Sequence, residues 1–399
     1  MNILRVIHSM NPVNGGPCQG LRNMIPELTT MGCRNEVVCL DAPDAPFLGA
    51  DPFPVHALGK GRGPLRYHPA LVPWLRANIA RFDAIVVHGL WLWPSFAVRL
   101  ATADPGKLTK PYFVMPHGML DPWFQQDSKR GIRRVRNLLY WHFAERDVVN
   151  GAAGLLFTTR EEMIRARASL PGYSPLREIE IGYGLPDPPP NRDPMAMRFR
   201  EGISGLGEAP YLLFLGRLDG KKGLDLLLEA YQALAFQHAG RAAGASGFPH
   251  LIIAGPGVET PFGKRLLKSV SGQCATVVHF TGMLRGQHKW GALQGCDALI
   301  HPSHHENFGL SVAEALGCGR PVLISDKVNI HDAVREAGCG LVARDDREGV
   351  SELLTRWMTL SPLQRSSMGE AAQKLFLSDY VARRAAARVV SILSPLIFG

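Results

Sequence analysis

Residues 211–237 read YLLFLGRLDGKKGLDLLLEAYQALAFQ. Tyr211–Leu215 is a short apolar run that reads as a buried strand, and Gly223–Gln237 reads as a helix. Between them lies a tight polar turn, Gly216 to Lys222. Strand, turn and helix in that order make half of a βαβ unit, and such units build parallel sheets covered on both faces.

The same alternation runs outward in both directions. Toward the N-terminus, short apolar strands are expected at Ile3–Ile7, Glu36–Leu40, Ala84–Val87, Tyr112–Met115, Gly154–Thr158 and Glu178–Ile181, with helical stretches between most of them. Toward the C-terminus they recur at His250–Ala254, Thr276–Phe280, Ala298–His301 and Pro321–Ile324. The tract Leu185 to Pro194, LPDPPPNRDP, can continue neither a helix nor a central strand and reads as a linker. The small-residue tract Ala239 to Gly247 reads as a loose loop. A last helix runs from Val381 to about Leu393, where Pro395 limits it. The organisation expected is a domain over 1–186, a linker over 187–208, a second domain over 209–380 and a terminal helix over 381–399. No short-period repeat occurs.

The bulk numbers fit. A chain of 399 residues with 46% hydrophobic and 20% charged residues is long enough for two well-buried cores, and it is not disordered. A net charge of +9 suits an anionic partner, whether a nucleotide, nucleic acid or an acidic membrane surface, without choosing among them. Seven cysteines, none in a Cys-x-x-Cys pair, read as reduced, buried thiols. The N-terminus enters a strand pattern at once without a long apolar core, so a cytoplasmic location is expected. The most apolar later run, Ala84 to Val98, is too short to span a bilayer.

In open α/β sheets ligands bind beyond the carboxyl ends of the strands, and the chemically capable residues of this chain sit there. Asn14-Gly15-Gly16-Pro17 follows the first strand; paired glycines let backbone approach a phosphate or sugar near a helix start, although an ordinary turn reads the same way. No Gly-x-Gly-x-x-Gly follows any strand, which weighs against a dinucleotide oxidoreductase. His88-Gly89 and Pro116-His117-Gly118-Met119 end two strands of the first domain, and a histidine there can position a hydroxyl or move a proton. Arg217 and Lys222 flank the turn after Leu215. A guanidinium fork and an ammonium five residues apart can grip a diphosphate and stabilise charge on a departing nucleotide.

The richest stretch is His301-Pro-Ser-His304-His305-Glu306-Asn307-Phe308-Gly309-Leu310-Ser-Val-Ala-Glu314. Gly309 opens a helix whose first N–H groups can hold a phosphate. Glu306 before that helix and Glu314 on its second turn can bind different parts of an elongated ligand. Adjacent His304 and His305 point apart and no second ligand cluster appears, so no metal site is assigned.

Taken together, these runs resemble the motifs of GT-B-fold, retaining glycosyltransferases of family 4. The resemblance rests on Gly216-Arg217 to Lys222-Gly223-Leu-Asp-Leu-Leu-Leu-Glu-Ala, on Glu306-Asn-Phe-Gly-Leu-Ser-Val-Ala-Glu314, on Pro116-His-Gly-Met-Leu-Asp-Pro-Trp123 and on the Gly15-Gly16 loop. It covers essentially the whole chain. It implies two Rossmann-like domains facing across a central cleft, the first on the acceptor side and the second binding the donor, with the terminal helix returning to the first domain. Arg217 and Lys222 would bind the diphosphate. Glu306 would hold donor-sugar hydroxyls, with the amides of Asn307, Phe308, Gly309 and Leu310 near sugar and phosphate. Glu314 would bind the ribose, Gly282 and Met283 would line the base, His117 would lie beside the reacting sugar and Gly16 would close on the diphosphate. The donor implied is a UDP- or GDP-sugar, with no metal or prosthetic group. Where many relatives carry Asn-Gly at the end of the first domain, this chain has Gly182-Tyr183-Gly184.

The acceptor implied by the resemblance is a saccharide or lipid-linked saccharide of bacterial exopolysaccharide or lipopolysaccharide assembly. Residues 129–143 add a helical stripe, Ile132, Val135, Leu139 and Phe143, with arginines around it. That pattern suits either an anionic membrane surface or packing on the protein's own core. Aromatic residues do not interleave with the basic runs, so nucleic acid is not an expected partner. Two other readings remain open from sequence: a sugar-nucleotide epimerase on the same fold, and a nucleotide-sugar-binding protein without turnover.

Overall fold

The computed structural model describes residues 1–103, 110–122, 131–190, 192–239 and 248–399, apart from the side chains of 131–134, 136, 192, 238, 239 and 273. The chain divides into two compact units, residues 1–186 with 382–399 and residues 187–381.

The first unit holds a seven-stranded, all-parallel sheet. Its strands are β1 (Asn2–Ile7), β2 (Arg34–Cys39), β3 (Val55–Ala57), β4 (Ala84–His88), β5 (Tyr112–Met115), β6 (Gly154–Phe157) and β7 (Glu178–Glu180), in the order β3-β2-β1-β4-β5-β6-β7. Side chains alternate between the two faces. Leu4, Val6, Ile85 and Val87 enter one core, while Ile3, Ala84, Val86 and Phe113 enter the other. Both faces are therefore covered, which is why these strands read as continuous apolar runs. The helix Ala382–Phe398 closes the second face, packing on the helix Gly16–Thr30.

The second unit repeats the plan with six parallel strands: β8 (Tyr211–Leu215), β9 (His250–Ala254), β10 (Val278–Gly282), β11 (Ala298–His301), β12 (Val322–Ser325) and β13 (Gly340–Ala343). Their order is β10-β9-β8-β11-β12-β13. In each sheet the order reverses between the first and fourth strands, so the topological switch points lie beyond the ends of β1 and β4, and of β8 and β11.

Three local differences from the sequence expectation have simple causes. Edge strands β3 and β13, of three and four residues, carry too few positions to show a period and were not expected. The expected linker 187–208 contains a helix, Arg192–Glu201, packed on the helix Gly286–Gly295. Arg200 fastens it, donating to the carbonyls of Gly207, Ala209 and Gly295 and lying over the Tyr211 ring. The terminal helix runs through Pro395 to Phe398, because a proline in the last turn removes one hydrogen bond where the helix is ending anyway. The tract 239–247 lies outside the described residues except for Ala239, the end of the helix Leu224–Ala239, and Trp123, Lys129 and Arg130 lie outside them too.

Candidate active site

At the switch point of the second sheet, the turn after β8 is pressed against the loop after β11. Asp219 caps the turn by accepting from the Lys221 N–H (2.9 Å). The Lys221 carbonyl then accepts from the His304 N–H (2.9 Å) and the Ser303 hydroxyl (3.0 Å). Gly223 makes the approach possible: its φ is +65°, and a Cβ there would lie 2.0 Å from the Pro302 carbonyl oxygen.

The consequence is an ion pair between Lys222 and Glu306, with His301 Nε2 3.3 Å from the same carboxylate. The His301 side chain is 1% exposed, and its ring stacks on Phe214 at 5.4 Å. Burial alone would raise the Glu306 carboxyl, but the His301 hydrogen bond and the Lys222 cation outweigh it and hold it well below the usual carboxylate range. Burial also lowers His301, so the neutral imidazole is the natural donor to an ionised Glu306. The backbone of Glu306 is fixed as well, through Glu306 N–H to Lys327 O and Asn329 N–H to Glu306 O, both 3.0 Å.

Gly309 (φ +80°) begins the helix Leu310–Gly317, and no side chain caps that start. Its first N–H groups therefore face outward from the helix without an intrahelical partner. Phe308 is buried against Tyr380, so only its backbone is available to a ligand. Glu314 pairs with Lys289 (2.7 Å), a cation from another helix that no motif signalled. Arg217 is exposed on the loop leaving β8, and among the described residues it makes no ion pair. Met283, 49% exposed, follows Gly282 at the end of β10. The structure thus joins Lys222 to Glu306, sets Glu314 apart with Lys289 and leaves Arg217 open. Among the described residues no cluster of three His, Cys, Asp or Glu side chains could hold a metal ion.

In the first unit, His117 leaves the end of β5 with φ +54°, a left-handed conformation costing a non-glycine residue about 1–2 kcal/mol. Glu162 holds that loop. One carboxylate oxygen accepts from the Gly118 N–H (2.5 Å), the other from the Thr158 N–H (2.8 Å) and hydroxyl (2.6 Å). His88, at the end of β4, lies with Nδ1 3.0 Å from His117 Nε2. Burial pushes the His117 imidazole down to about 4 and lowers His88 too, with the charges of His117 and Arg5 acting in the same direction. Behind the pair is a cavity of about 40 Å³ that Arg5, Met115 and Tyr183 help to line. Tyr183 lies against Gly20, and its hydroxyl donates to the Gly16 carbonyl (2.6 Å), anchoring the helix start that carries Gly16. The Glu162–Gly118 and Tyr183–Gly16 contacts had no sequence signal, because the partners lie 44 and 167 residues apart.

Two family descriptions match the chain: "Glycosyl transferase 4-like domain" over residues 15–180 and "Glycosyl transferases group 1" over residues 199–375. The chain is 28% identical over 216 residues to D-inositol 3-phosphate glycosyltransferase of Xylanimonas cellulosilytica, covering 52% of this chain and 46% of that one. It is 26% identical over 243 residues to alpha-D-kanosaminyltransferase of Streptomyces kanamyceticus, covering 60% and 59%. The chain spans about half the length of the curated relatives it matches. The fold is similar to that of Anabaena Alr3699/HepE, solved with UDP and glucose: TM-score 0.73, 18% identity, 99% of this chain and 100% of that one. The two parallel-sheet units make a two-domain GT-B fold.

Proposed function

The chain belongs to the glycosyl transferases group 1, and from that premise we infer that it moves a hexose from a UDP- or GDP-sugar to a saccharide or lipid-linked saccharide, with retention and without a metal. The observation that carries the reading is the Lys222–Glu306 pair at the switch point of the second sheet, beside an uncapped helix start.

That arrangement supports a specific sequence of events. Without ligand, Glu306 neutralises Lys222. A donor diphosphate, with its higher charge, draws Lys222 and Arg217 to its oxygens and the helix N–H groups to its phosphate. Glu306, still ionised and bonded to His301, is then free to accept hydrogen bonds from the sugar hydroxyls. Glu314 takes the ribose hydroxyls in exchange for Lys289, and Gly282 and Met283 flank the base. The bond from the anomeric carbon to the diphosphate oxygen breaks, and Lys222 and Arg217 stabilise the charge that develops. The acceptor oxygen attacks from the same face and its proton passes to the departing phosphate oxygen. In the first unit, neutral His117 hydrogen-bonds a sugar hydroxyl and Gly16 presents backbone to phosphate. A covalent glycosyl adduct trapped on the protein would overturn this route.

A thermal-shift panel of UDP, GDP, ADP and their sugar conjugates, run with EDTA, tests the reading, since a ligand of the folded state raises its melting temperature. One nucleotide and its sugar conjugate should respond with EDTA present. Silence from all of them at millimolar concentration would reject a donor site.

On this reading the protein acts at the cytoplasmic face of a bacterial membrane, in exopolysaccharide or lipopolysaccharide assembly. Val135, Leu139 and Phe143 are 59%, 56% and 74% exposed, and Leu138 is the neighbour that packs inward. This supports the surface role of residues 129–143 over core packing; Ile132 and the arginines of the stripe lie among side chains outside the description. Among the described residues no helix is long and apolar enough to cross a membrane. The protein should sediment with anionic vesicles and not with neutral ones, and Phe143→Ser should weaken that binding.

A further inference from the structure

Three non-glycine residues among those described have a left-handed backbone: Arg66 (φ +58°), Trp91 (φ +68°) and His117 (φ +54°). Trp91 and His117 lie on loops leaving the carboxyl ends of the adjacent strands β4 and β5, whereas Arg66 follows the edge strand β3 of the same sheet. Strain of this kind persists where the surrounding structure enforces it, and it gathers at ligand sites. His117 already has a role. Trp91 does not, and it is the costlier choice, because glycine would adopt the same backbone without strain.

The surroundings of Trp91 fix it tightly. Its indole Nε1 donates to the Met119 carbonyl (3.1 Å), two residues beyond His117, and the Leu90 N–H donates to the Met119 sulfur (3.1 Å). Trp91 is half-buried, packed against the core and 6.3 Å from the Trp141 ring. Two residues on, Trp93 begins the helix Trp93–Thr102. Trp93 donates its indole N–H to His68 O (3.1 Å) and its backbone N–H to Leu65 O (2.7 Å), and it meets the 46%-exposed Tyr67 edge-on at 4.7 Å. The one polar atom of Trp91 is thus satisfied by protein, and what it has left to present is ring carbon. The negative face of an aromatic ring suits polarised C–H bonds, and a pyranose offers such a face while its hydroxyls point outward.

We propose that Trp91 is the binding platform for a pyranose ring of the acceptor, held in register with His117 through Met119. This rests on reading the chain as a glycosyltransferase and adds to it a residue that selects the acceptor. The left-handed turn sets the indole at a fixed orientation beside the loop of His117, as a preorganised site requires. Recognition by ring stacking makes a saccharide the acceptor class, in preference to a bare lipid alcohol or a protein hydroxyl.

The test uses the full chain labelled with 5-fluorotryptophan and followed by fluorine NMR. Trp91→Phe assigns the Trp91 resonance. Maltose, cellobiose, lactose and diacetylchitobiose are the probes, each titrated to tens of millimolar. At least one should move the Trp91 resonance saturably while Trp290 and Trp357 of the second unit stay in place. Trp91→Gly relieves the backbone strain and removes the ring, so it should remain folded and bind the same sugar roughly tenfold more weakly, whereas Trp91→Phe should retain most of the binding. A resonance unmoved by every sugar, or equal shifts at all tryptophans, overturns the proposal. Thermal shift by UDP or GDP on the same samples reads the donor site separately. Loss of that response rejects the transferase reading, while its presence with a silent Trp91 rejects only the platform.

Discussion

The Nδ1 atom of His88 stands 3.0 Å from Nε2 of His117, so two imidazoles from adjacent strands share one proton position. The other nitrogen of His88, Nε2, is buried and has no partner among the described residues, and the charge of Arg5 acts on that ring. A lone pair on Nε2 is favoured beside a guanidinium, which puts the His88 proton on Nδ1 and makes it the donor. His117 then carries its own proton on Nδ1, free to donate to a sugar oxygen. Nitrogen-15 NMR at neutral pH should show both rings protonated at Nδ1. His88→Ala should let His117 revert to a mixture, and His88→Asn, which keeps a donor near the same place, should restore the single form. A wild-type His117 protonated at Nε2 would reverse the direction of the bond.

His117 also predicts a pH dependence of stability. Its imidazole is held at about 4 in the fold against a usual 6.5, because burial disfavours the cation. Below 6.5 the unfolded chain binds the proton and the native one does not, so stability falls as pH drops from 6.5 toward 4 and levels off below that. The full effect is about 3 kcal/mol. His117→Gln should flatten the curve of melting temperature against pH in that window; an unchanged slope would assign it to other groups.

Glu162 should be worth more to the fold than any exposed acidic residue. It accepts from two backbone N–H groups and one hydroxyl inside the first unit. Glu162→Ala removes all three of these hydrogen bonds and should cost about 3 kcal/mol in urea unfolding. It should also lower turnover, because the loop of His117 loses its anchor. A loss below about 0.5 kcal/mol would mean that the loop holds itself.

Arg217 and Lys222 should separate stability from chemistry. Arg217 is exposed, so Arg217→Ala should leave the melting temperature unchanged while lowering transfer about 100-fold. Lys222→Ala strips Glu306 of its buried cation and should reduce both. Equal stability losses in the two variants would contradict this division.

Tyr183 and Gly20 are fitted to one another. A Cβ on Gly20 would lie 2.4 Å from the Tyr183 hydroxyl oxygen. Gly20→Ala should therefore destabilise by about 2 kcal/mol through overpacking, and Tyr183→Phe by about 1 kcal/mol through the lost bond to Gly16. Nucleotide affinity should fall more in Gly20→Ala, since that substitution displaces the helix start.

What the sequence determined by itself is local in character. A strand with both faces buried is predominantly apolar, so β1, β4, β5, β8, β9 and β11 could be read directly, and with them the alternation that makes two parallel sheets. Glycines and charges at strand ends could be read because a turn places neighbours in sequence together in space, as with Arg217, Lys222 and the run from Glu306 to Glu314. The tertiary structure alone decided which of these side chains meet. Lys222 pairs with Glu306 across 84 residues, Lys289 with Glu314 across 25, His88 with His117 across 29 and Glu162 with Gly118 across 44. It alone also put Arg66, Trp91 and His117 in strained conformations, although their side chains differ and no residue type signals the strain. The physical reason is common to all of them. Burial leaves a periodic trace in the chain, whereas a hydrogen bond or an enforced φ depends on the register of elements far apart in it.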